Sequence, residues 1–243
     1  MLPIQGKHCI ITGGSRGIGL AIAKLFASHG ARCTLVALHT ETLVKAVGSL
    51  PPIHQASHDY QAFDVSDPLG WRGMTRDLKL DRFDILVNAA GVSHNSFLLK
   101  MPNANLERIL DVNLKGTILG CQAVIPKMMK QRDGCIINVS SLLATHGGNG
   151  ASVYAASKAG VLGLTRSLAW EVGRFNMRAN VIQPGYIETD MTKRLNEKEN
   201  LAALIPMGRL GVVEEVAEAA LFLATNSYAH NCVLNIDGGL SAA

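Results

Sequence analysis

Tyr154 and Lys158 are four positions apart in a stretch with a helical pattern, so their side chains share one helical face. A phenol ionises near pH 10 in water, and a neighbouring ammonium group lowers its pKa because it stabilises the phenolate. A tyrosine of this kind donates and accepts protons near neutral pH. The pair therefore predicts acid–base chemistry, although tyrosine and lysine also meet at this spacing by chance. Ser152, two positions before Tyr154, has a side chain suited to capping the helix.

Further polar side chains follow short apolar runs of the chain. Asn88 ends one such run, Ser141 comes just after the next, and Asn113 lies in the helical stretch between them. The carboxyl ends of parallel strands are where open α/β sheets bind ligands. We therefore expect Ser141 to lie close to Tyr154 at this edge of a sheet.

A glycine-rich turn, TGGSRGIG over residues 12–19, follows the first predicted strand. Gly13 allows a tight turn, Gly17 lets backbone amides approach a pyrophosphate, and Gly19 lets the next helix pack closely on the sheet. Phosphates bind at the positive N-terminus of such a helix. A connection without any ligand also uses glycines, but the position at the first strand–helix junction favours a nucleotide site.

The end of the second predicted strand bears on which nucleotide binds. A site for NAD places an Asp or Glu there to hold the ribose 2′-hydroxyl. Residues 36–40 read VALHT, with no acid before Glu41, and Arg16 in the glycine turn is suited to a 2′-phosphate. We therefore predict NADP(H) as the cofactor; in the alternative interpretation, Arg16 is only a solvated surface charge.

Short apolar runs alternate with helical patterns along the chain, which predicts a single-domain α/β fold, a Rossmann-type doubly wound parallel sheet of about seven strands with helices on both faces. The predicted strands are His8–Thr12, Arg32–Ala37, Tyr60–Phe63, Asp84–Asn88, Cys135–Val139, Arg178–Gln183 and Val233–Ile236. The predicted helices lie near 16–29, 41–49, 67–78, 103–131, 152–174 and 213–225. Residues 190–211 interrupt the alternation, and we expect a substrate lid there.

Composition excludes several classes of protein. Hydrophobic residues make up 48% of the 243 residues and charged residues 17%, unlike a disordered chain. The 24 glycines show no period of three, and no apolar run is long enough to span a membrane. The net charge of +4 comes from scattered residues, so we expect no nucleic-acid partner. Five cysteines without a C-x-x-C pair indicate free thiols in an intracellular protein, and we expect no leader segment.

Ordered motifs between residues 12 and 185 give the chain a specific resemblance. They are Thr12–Gly19, Asp64-Val65, Asn88–Gly91, Asn113, Ser141, Tyr154-x-x-x-Lys158 and Pro184-Gly185. With these the chain resembles the short-chain dehydrogenase/reductase family. The resemblance implies that Tyr154 protonates a ketone oxygen, that Ser141 holds this oxygen, that Lys158 lowers the tyrosine pKa and binds the nicotinamide ribose, and that Asn113 holds a water which passes protons to Lys158.

The resemblance also implies a set of residues that bind NADP(H). They are Gly13, Ser15, Arg16, Gly17, Ile18, Gly19, His39, Asp64, Val65, Asn88, Ala89, Gly91, Tyr154, Lys158, Pro184, Gly185, Ile187 and Thr189. Asp64 and Val65 would contact the adenine and Asn88 the adjacent ribose, whereas Ile187 and Thr189 would contact the nicotinamide carboxamide. Leu38 stands where relatives that use NADP often have arginine, so the 2′-phosphate would depend on Arg16 and His39.

Four further segments resemble those of 3-oxoacyl-[acyl-carrier-protein] reductases: GGNG at 147–150, PGYIETDM at 184–191, IPMGRLG at 205–211 and DGG at 237–239. This implies reduction of carrier-linked 3-oxoacyl thioesters by NADPH in fatty-acid synthesis, and a homotetramer that packs through helices 103–131 and 152–174. Residues 92–95 depart from these relatives. Two alternatives remain: a family member acting on another ketone or secondary alcohol, and a catalytically silent nucleotide-binding subunit of a hetero-oligomer.

Other charged and polar residues have simpler explanations beside functional ones. Lys127, Lys130 and Arg132 end a helix, where cations complement its dipole; the alternative is a docking patch for an acidic acyl carrier protein. His54 and His58 lie in a polar loop with no strong third ligand, so we predict no metal site. We expect an intracellular protein of the cytoplasm or the mitochondrial matrix.

Overall fold

The structure is a computed structural model that describes residues 4–53, 57–77, 82–193 and 200–242. Seven strands form one parallel sheet in the order β3-β2-β1-β4-β5-β6-β7. The strands are β1 (His8–Thr12), β2 (Arg32–Ala37), β3 (Asp59–Ala62), β4 (Ile85–Asn88), β5 (Gly134–Val139), β6 (Met177–Pro184) and β7 (Val233–Ile236). The order reverses between β1 and β4, whose carboxyl ends flank the point where such sheets bind ligands.

Helices cover both faces of the sheet. They are α1 (Gly17–Ser28), α2 (Thr40–Gly48), α3 (Pro68–Asp77), α4 (Asn103–Leu110), α5 (Gly116–Gln131), α6 (Leu143–His146), α7 (Ser152–Val172) and α8 (Val213–Thr225). Among the described helices, none combines the length and hydrophobicity needed to cross a bilayer.

Two apolar cores lie on opposite sides of the sheet because successive strand residues point to opposite faces. Cys9 and Ile11 face the core under α1, α2 and α8, whereas Ile10 faces the core under α3, α5 and α7. All residues of β1, β4 and β5 are buried. The predicted doubly wound α/β fold is therefore confirmed.

The predicted helix 103–131 is helical throughout but not uniform. Asp111–Lys115 between α4 and α5 form a π-helix, an irregularity that is frequent at functional sites. Composition carries no signal for it because the same residues suit an α-helix. The predicted capping role of Ser152 is wrong: Ala151 precedes the helix, and Ser152 is its first residue, with an exposed side chain.

The predicted lid around 190–211 is only partly described, since residues 194–199 lie outside the described ranges. Leu201, Ile205 and Leu210 are buried in a small apolar cluster of their own. Gly211 closes the segment by accepting a hydrogen bond from the Glu188 amide and donating one to the Tyr186 carbonyl. The end of this segment is therefore anchored, and its role as a lid stays a prediction.

Candidate active site

Lys158 is almost completely buried, with 4% of its surface exposed. Its Nζ donates a hydrogen bond to the Val139 carbonyl at 2.8 Å and lies 5.9 Å from the centre of the Tyr154 ring. Burial lowers the pKa of Lys158 from its usual 10.5 to about 8, because a poorly solvated site disfavours the charged form. At neutral pH the amine is still mainly protonated, with two N–H groups beyond the one bound to Val139.

The pKa of Tyr154 differs from the sequence prediction. Burial raises its pKa above 10 because the phenolate is poorly solvated, and the opposing hydrogen bond from Ser141 is the smaller effect. The prediction that Lys158 brings this pKa down toward neutrality is therefore wrong for the chain as described. The consequence is a phenol that keeps its proton at neutral pH, which is the form that a proton donor needs.

Ser141 follows β5 and is held from both sides. Its Oγ accepts a hydrogen bond from the Leu143 amide at 3.2 Å, and its carbonyl accepts one from Gln183 Nε2 at 3.0 Å. The neighbouring Ser140 hydroxyl donates to the Lys158 carbonyl at 2.8 Å, which ties α7 to the end of β5. The sequence places Ser140 beside Ser141 but assigns no role to Ser140 or Gln183, because their contacts join distant segments of the chain.

Asn113 lies in the π-helix and is fully buried. Its Oδ1 accepts a hydrogen bond from the Val92 amide at 2.8 Å, and its Nδ2 donates to the Val92 carbonyl and to Ser157 Oγ, both at 3.0 Å. The Ser157 hydroxyl donates in turn to the Tyr154 carbonyl at 2.7 Å. The Asn113 side chain therefore joins the Val92 loop to the first two turns of α7, and its predicted role in holding a water stays a prediction.

The glycine turn is shaped as the sequence predicts. Gly13 and Gly17 have φ angles of +65° and +55°, which favour glycine. A Cβ on Gly13 would lie 2.8 Å from the Ala89 carbonyl oxygen, and one on Gly19 would collide with the Gly13 backbone. The turn therefore lies directly against the end of β4, where Thr12 Oγ1 accepts hydrogen bonds from the Ala89 and Ala90 amides.

These features fit a dinucleotide. The N-terminus of α1 has no side-chain cap and no acidic residue in its first turn, so its amides are suited to phosphate. Ser15 is half-buried in the turn, and Ile18 packs on the core beneath it. A Cβ on Gly91 would lie 3.4 Å from Lys158 Nζ, so glycine keeps the space beside the ammonium group open.

The residues predicted to bind the 2′-phosphate come from two separate loops. Arg16 NH1 lies 3.5 Å from Asp190 Oδ2, and both side chains are about four-fifths exposed. Residues 38–42 line an open surface depression, with His39 at the N-cap of α2. The two residues predicted to meet the 2′-phosphate, Arg16 and His39, thus lie at different strand ends, with Arg16 turned toward the loop after β6.

The loop after β6 is fixed by backbone and hydroxyl contacts. The Gly185 amide donates to the Ile236 carbonyl at 2.9 Å, which joins Pro184-Gly185 to the end of β7. Ile187 is buried, and the Thr189 amide donates to Thr192 Oγ1 at 3.1 Å. Thr192, whose hydroxyl also donates to the Ile187 carbonyl, was not predicted; no spacing rule marks it.

Asn88 and Asp64 occupy different environments. The Asn88 side chain is buried and donates to Asn138 Oδ1 at 2.9 Å, so only its backbone is left to meet the predicted ribose. Asp64 follows β3 and is partly exposed, whereas Val65 beside it is buried. Asp64 therefore lies at the carboxyl edge of the sheet, whereas the side-chain amide of Asn88 points into the core.

The carboxyl edge of the sheet thus combines the Tyr154 phenol, a positioned serine hydroxyl and a buried lysine side chain with a glycine turn suited to phosphate. A family model described as short chain dehydrogenase matches residues 7–200, and the chain belongs to this family of oxidoreductases.

The comparisons also identify similar individual proteins. The chain is 42% identical to the 3-oxoacyl-[acyl-carrier-protein] reductase FabG of Thermotoga maritima, with 98% of each chain covered. It is 39% identical to carbonyl reductase family member 4 of Xenopus laevis, with 97% of this chain and 98% of that protein covered. A crystal structure of a short-chain type dehydrogenase/reductase from Mycobacterium marinum matches with a TM-score of 0.93 at 33% identity, covering 100% of this chain and 98% of that one.

Proposed function

We propose that this chain reduces 3-oxoacyl thioesters, linked to acyl carrier protein, to 3-hydroxyacyl thioesters with NADPH. The observation that carries the proposal is the grouping of Ser141, Tyr154 and Lys158 near the glycine turn. The chain also aligns almost end to end with the 3-oxoacyl-[acyl-carrier-protein] reductase of Thermotoga maritima. Bound NADPH supplies the hydride for the carbonyl carbon. The four proposed catalytic residues, Asn113, Ser141, Tyr154 and Lys158, supply and organise the proton.

Tyr154 donates its phenolic proton to the carbonyl oxygen, so that one hydride and one proton together give the alcohol. Its raised pKa keeps the proton in place until the carbonyl oxygen gains charge. The Ser141 hydroxyl stabilises the phenolate that remains, since its hydrogen bond is the interaction that lowers the tyrosine pKa. Lys158, anchored on Val139, offers its remaining N–H groups to the nicotinamide ribose.

Arg16 supports the proposed preference for NADPH. Its ion pair with Asp190 is between two exposed side chains, and such pairs contribute little free energy. The guanidinium group is therefore able to leave Asp190 for a 2′-phosphate at small cost. Steady-state assays with both cofactors test this preference, and a higher kcat/KM with NADH than with NADPH would show it to be wrong.

The substrate class is tested by NADPH oxidation with acetoacetyl thioesters, longer 3-oxoacyl thioesters and simple ketones. We expect kcat/KM for the thioesters to exceed that for simple ketones by at least about 100-fold, because binding of the remote acyl and thioester groups contributes to catalysis. Equal values for ketones would favour the second candidate, a general carbonyl reductase, which the name of the Xenopus laevis relative suggests. NADPH binding without turnover would favour a silent subunit.

We also propose that the chain is a homotetramer. The exposed faces of α5 and α7 carry Ile118 and Trp170, which are 41% and 90% exposed, and large exposed apolar side chains often mark an interface. Light scattering of the purified chain should give the mass of four chains. The mass of a single chain would contradict the proposal.

Docking of an acidic acyl carrier protein at Lys127, Lys130 and Arg132 gives a separate prediction. Lys127 also lies over the Phe83 ring, and Arg132 NH2 donates to the Arg174 carbonyl, so both have structural contacts as well. We expect Lys127→Glu combined with Arg132→Glu to raise KM for a carrier-linked substrate about tenfold, because charge reversal opposes association. KM for a short free thioester should stay within about twofold; an equal rise for both substrates would refute docking at this patch.

A further inference from the structure

Arg108 on α4 forms an ion pair with Asp64, which the family resemblance of the sequence implies to lie at the adenine of NADPH. Arg108 NH1 lies 2.5 Å from Asp64 Oδ2, and the two side chains are 39% and 31% exposed. We propose that Arg108 is a positioning residue for base recognition: it fixes the Asp64 carboxylate so that one lone pair of Oδ2 accepts a hydrogen bond from the adenine amino group. The inference rests on the proposed binding of NADPH.

The hydrogen bonds of Asp64 leave a single acceptor position open within the part of the chain that is described. An ionised carboxylate has about four lone-pair sites, two on each oxygen. Oδ1 accepts from the Ser66 amide at 2.9 Å and from the Ser66 hydroxyl at 2.7 Å, which uses both of its sites. Oδ2 accepts from Arg108, which leaves one site on the same oxygen.

The backbone around Asp64 is held in place and Ser66 holds Oδ1, so Arg108 is the described contact that holds Oδ2. The Asp64 carbonyl accepts a hydrogen bond from the Asp67 amide at 2.8 Å, and the Val65 carbonyl accepts one from Trp71 Nε1 at 2.8 Å. Val65 packs closely on Gly116, since a Cβ atom on this glycine would lie 2.7 Å from Val65 Cγ2. Arg108 and Gly116 belong to the continuous helical stretch that also carries Asn113 in the π-helix.

An ionised Asp64 distinguishes adenine from hypoxanthine. Burial raises the pKa of the Asp64 carboxyl, but hydrogen bonds from Ser66 and Arg108 outweigh this effect and hold the pKa below its usual value. At neutral pH the Asp64 carboxyl group is therefore ionised and acts only as a hydrogen-bond acceptor. Adenine presents an amino donor at the position where hypoxanthine has a carbonyl oxygen, and two acceptors facing each other repel.

The test measures binding, not turnover. Calorimetric titration of the full chain with NADPH, and with its analogue containing hypoxanthine, gives the ratio of the two Kd values without any thioester. We expect the wild-type chain to bind NADPH at least about tenfold more tightly than the analogue, because the analogue leaves Asp64 without a donor. Arg108→Ala should weaken the binding of NADPH but not that of the analogue, so that the preference falls below about threefold. Arg108→Lys should restore most of the preference.

Arg72→Ala, which removes an exposed arginine from neighbouring α3, is the matched control and should leave the ratio unchanged. Arg108→Gln replaces Arg108→Ala if circular dichroism shows that the alanine variant does not fold. If the variant without Arg108 keeps the preference for NADPH, or binds both ligands more weakly by the same factor, the positioning role is wrong. No preference in the wild-type chain overturns adenine recognition by Asp64 itself. If the ratio behaves as expected while no thioester is reduced, only the proposed substrate is wrong.

Discussion

Replacing Tyr154 by phenylalanine should lower kcat for thioester reduction by about 10²–10⁴-fold, the range that a positioned general acid contributes. The substitution removes the hydroxyl and keeps the ring, so the packing of α7 is preserved. Because most of the proposed contacts of NADPH are made by other residues, among them those of the glycine turn and Lys158, the Kd of NADPH should stay within about threefold. Steady-state kinetics and a cofactor titration on the same preparation measure both quantities.

Tyr60→Phe is the control for loss of a phenolic hydroxyl, since Tyr60 lies in β3, a strand at the edge of the sheet. We expect its kcat to match that of the wild-type chain. If Tyr154→Phe retains wild-type turnover, another group supplies the proton. If it loses cofactor binding as well, Tyr154 acts through the shape of the site rather than as an acid.

Lys158→Met should make the protein more stable and nearly inactive. The fall in the Lys158 pKa from 10.5 to about 8 corresponds to a burial cost of about 3 kcal/mol at neutral pH. Methionine removes this cost but leaves the Val139 carbonyl without its donor, which takes back about 1 kcal/mol. We expect a net gain of about 2 kcal/mol in the free energy of unfolding, or a rise of about 4–8 °C in Tm. Loss of the buried ammonium group should lower kcat at least about 100-fold.

The pH dependence of this gain identifies its cause. Between about pH 8 and pH 10.5, the folded wild-type chain has released the Lys158 proton while the unfolded chain still holds it. The unfolded state then binds more protons, so the stability of the wild-type chain rises with pH relative to the variant. The advantage of Lys158→Met should therefore be largest below pH 8 and shrink above it.

Lys24→Met replaces an exposed lysine of α1 and serves as the control, with a change in unfolding free energy below about 0.5 kcal/mol. Denaturant unfolding at pH 7 and pH 10 measures all three chains. A destabilised Lys158→Met at pH 7 would mean that the hydrogen bond to Val139 outweighs the burial cost of the charge.

The order of strands and helices could be predicted because each depends on local pattern. Apolar runs such as Ile85–Asn88 suit a strand buried on both faces, and the glycines of the first turn mark a junction that few other residues allow. The predicted boundaries therefore agree with the structure to within about two residues. The π-helix at Asp111–Lys115 escaped prediction because it is stabilised by contacts of Asn113 with Val92 and Ser157, which lie far away in the chain.

The sequence by itself determined the class of fold and the glycine turn, because these depend on residue type and short-range spacing, and its resemblance to a family supplied the set of residues proposed for catalysis. The tertiary structure decided the energetics of those residues. The pKa of Tyr154 is raised because burial, which depends on the whole surroundings of the side chain, outweighs the opposing hydrogen bond from Ser141. The direction of the Asn88 amide and the pairing of Arg108 with Asp64 join residues about 40–50 positions apart, and only folding brings such residues together.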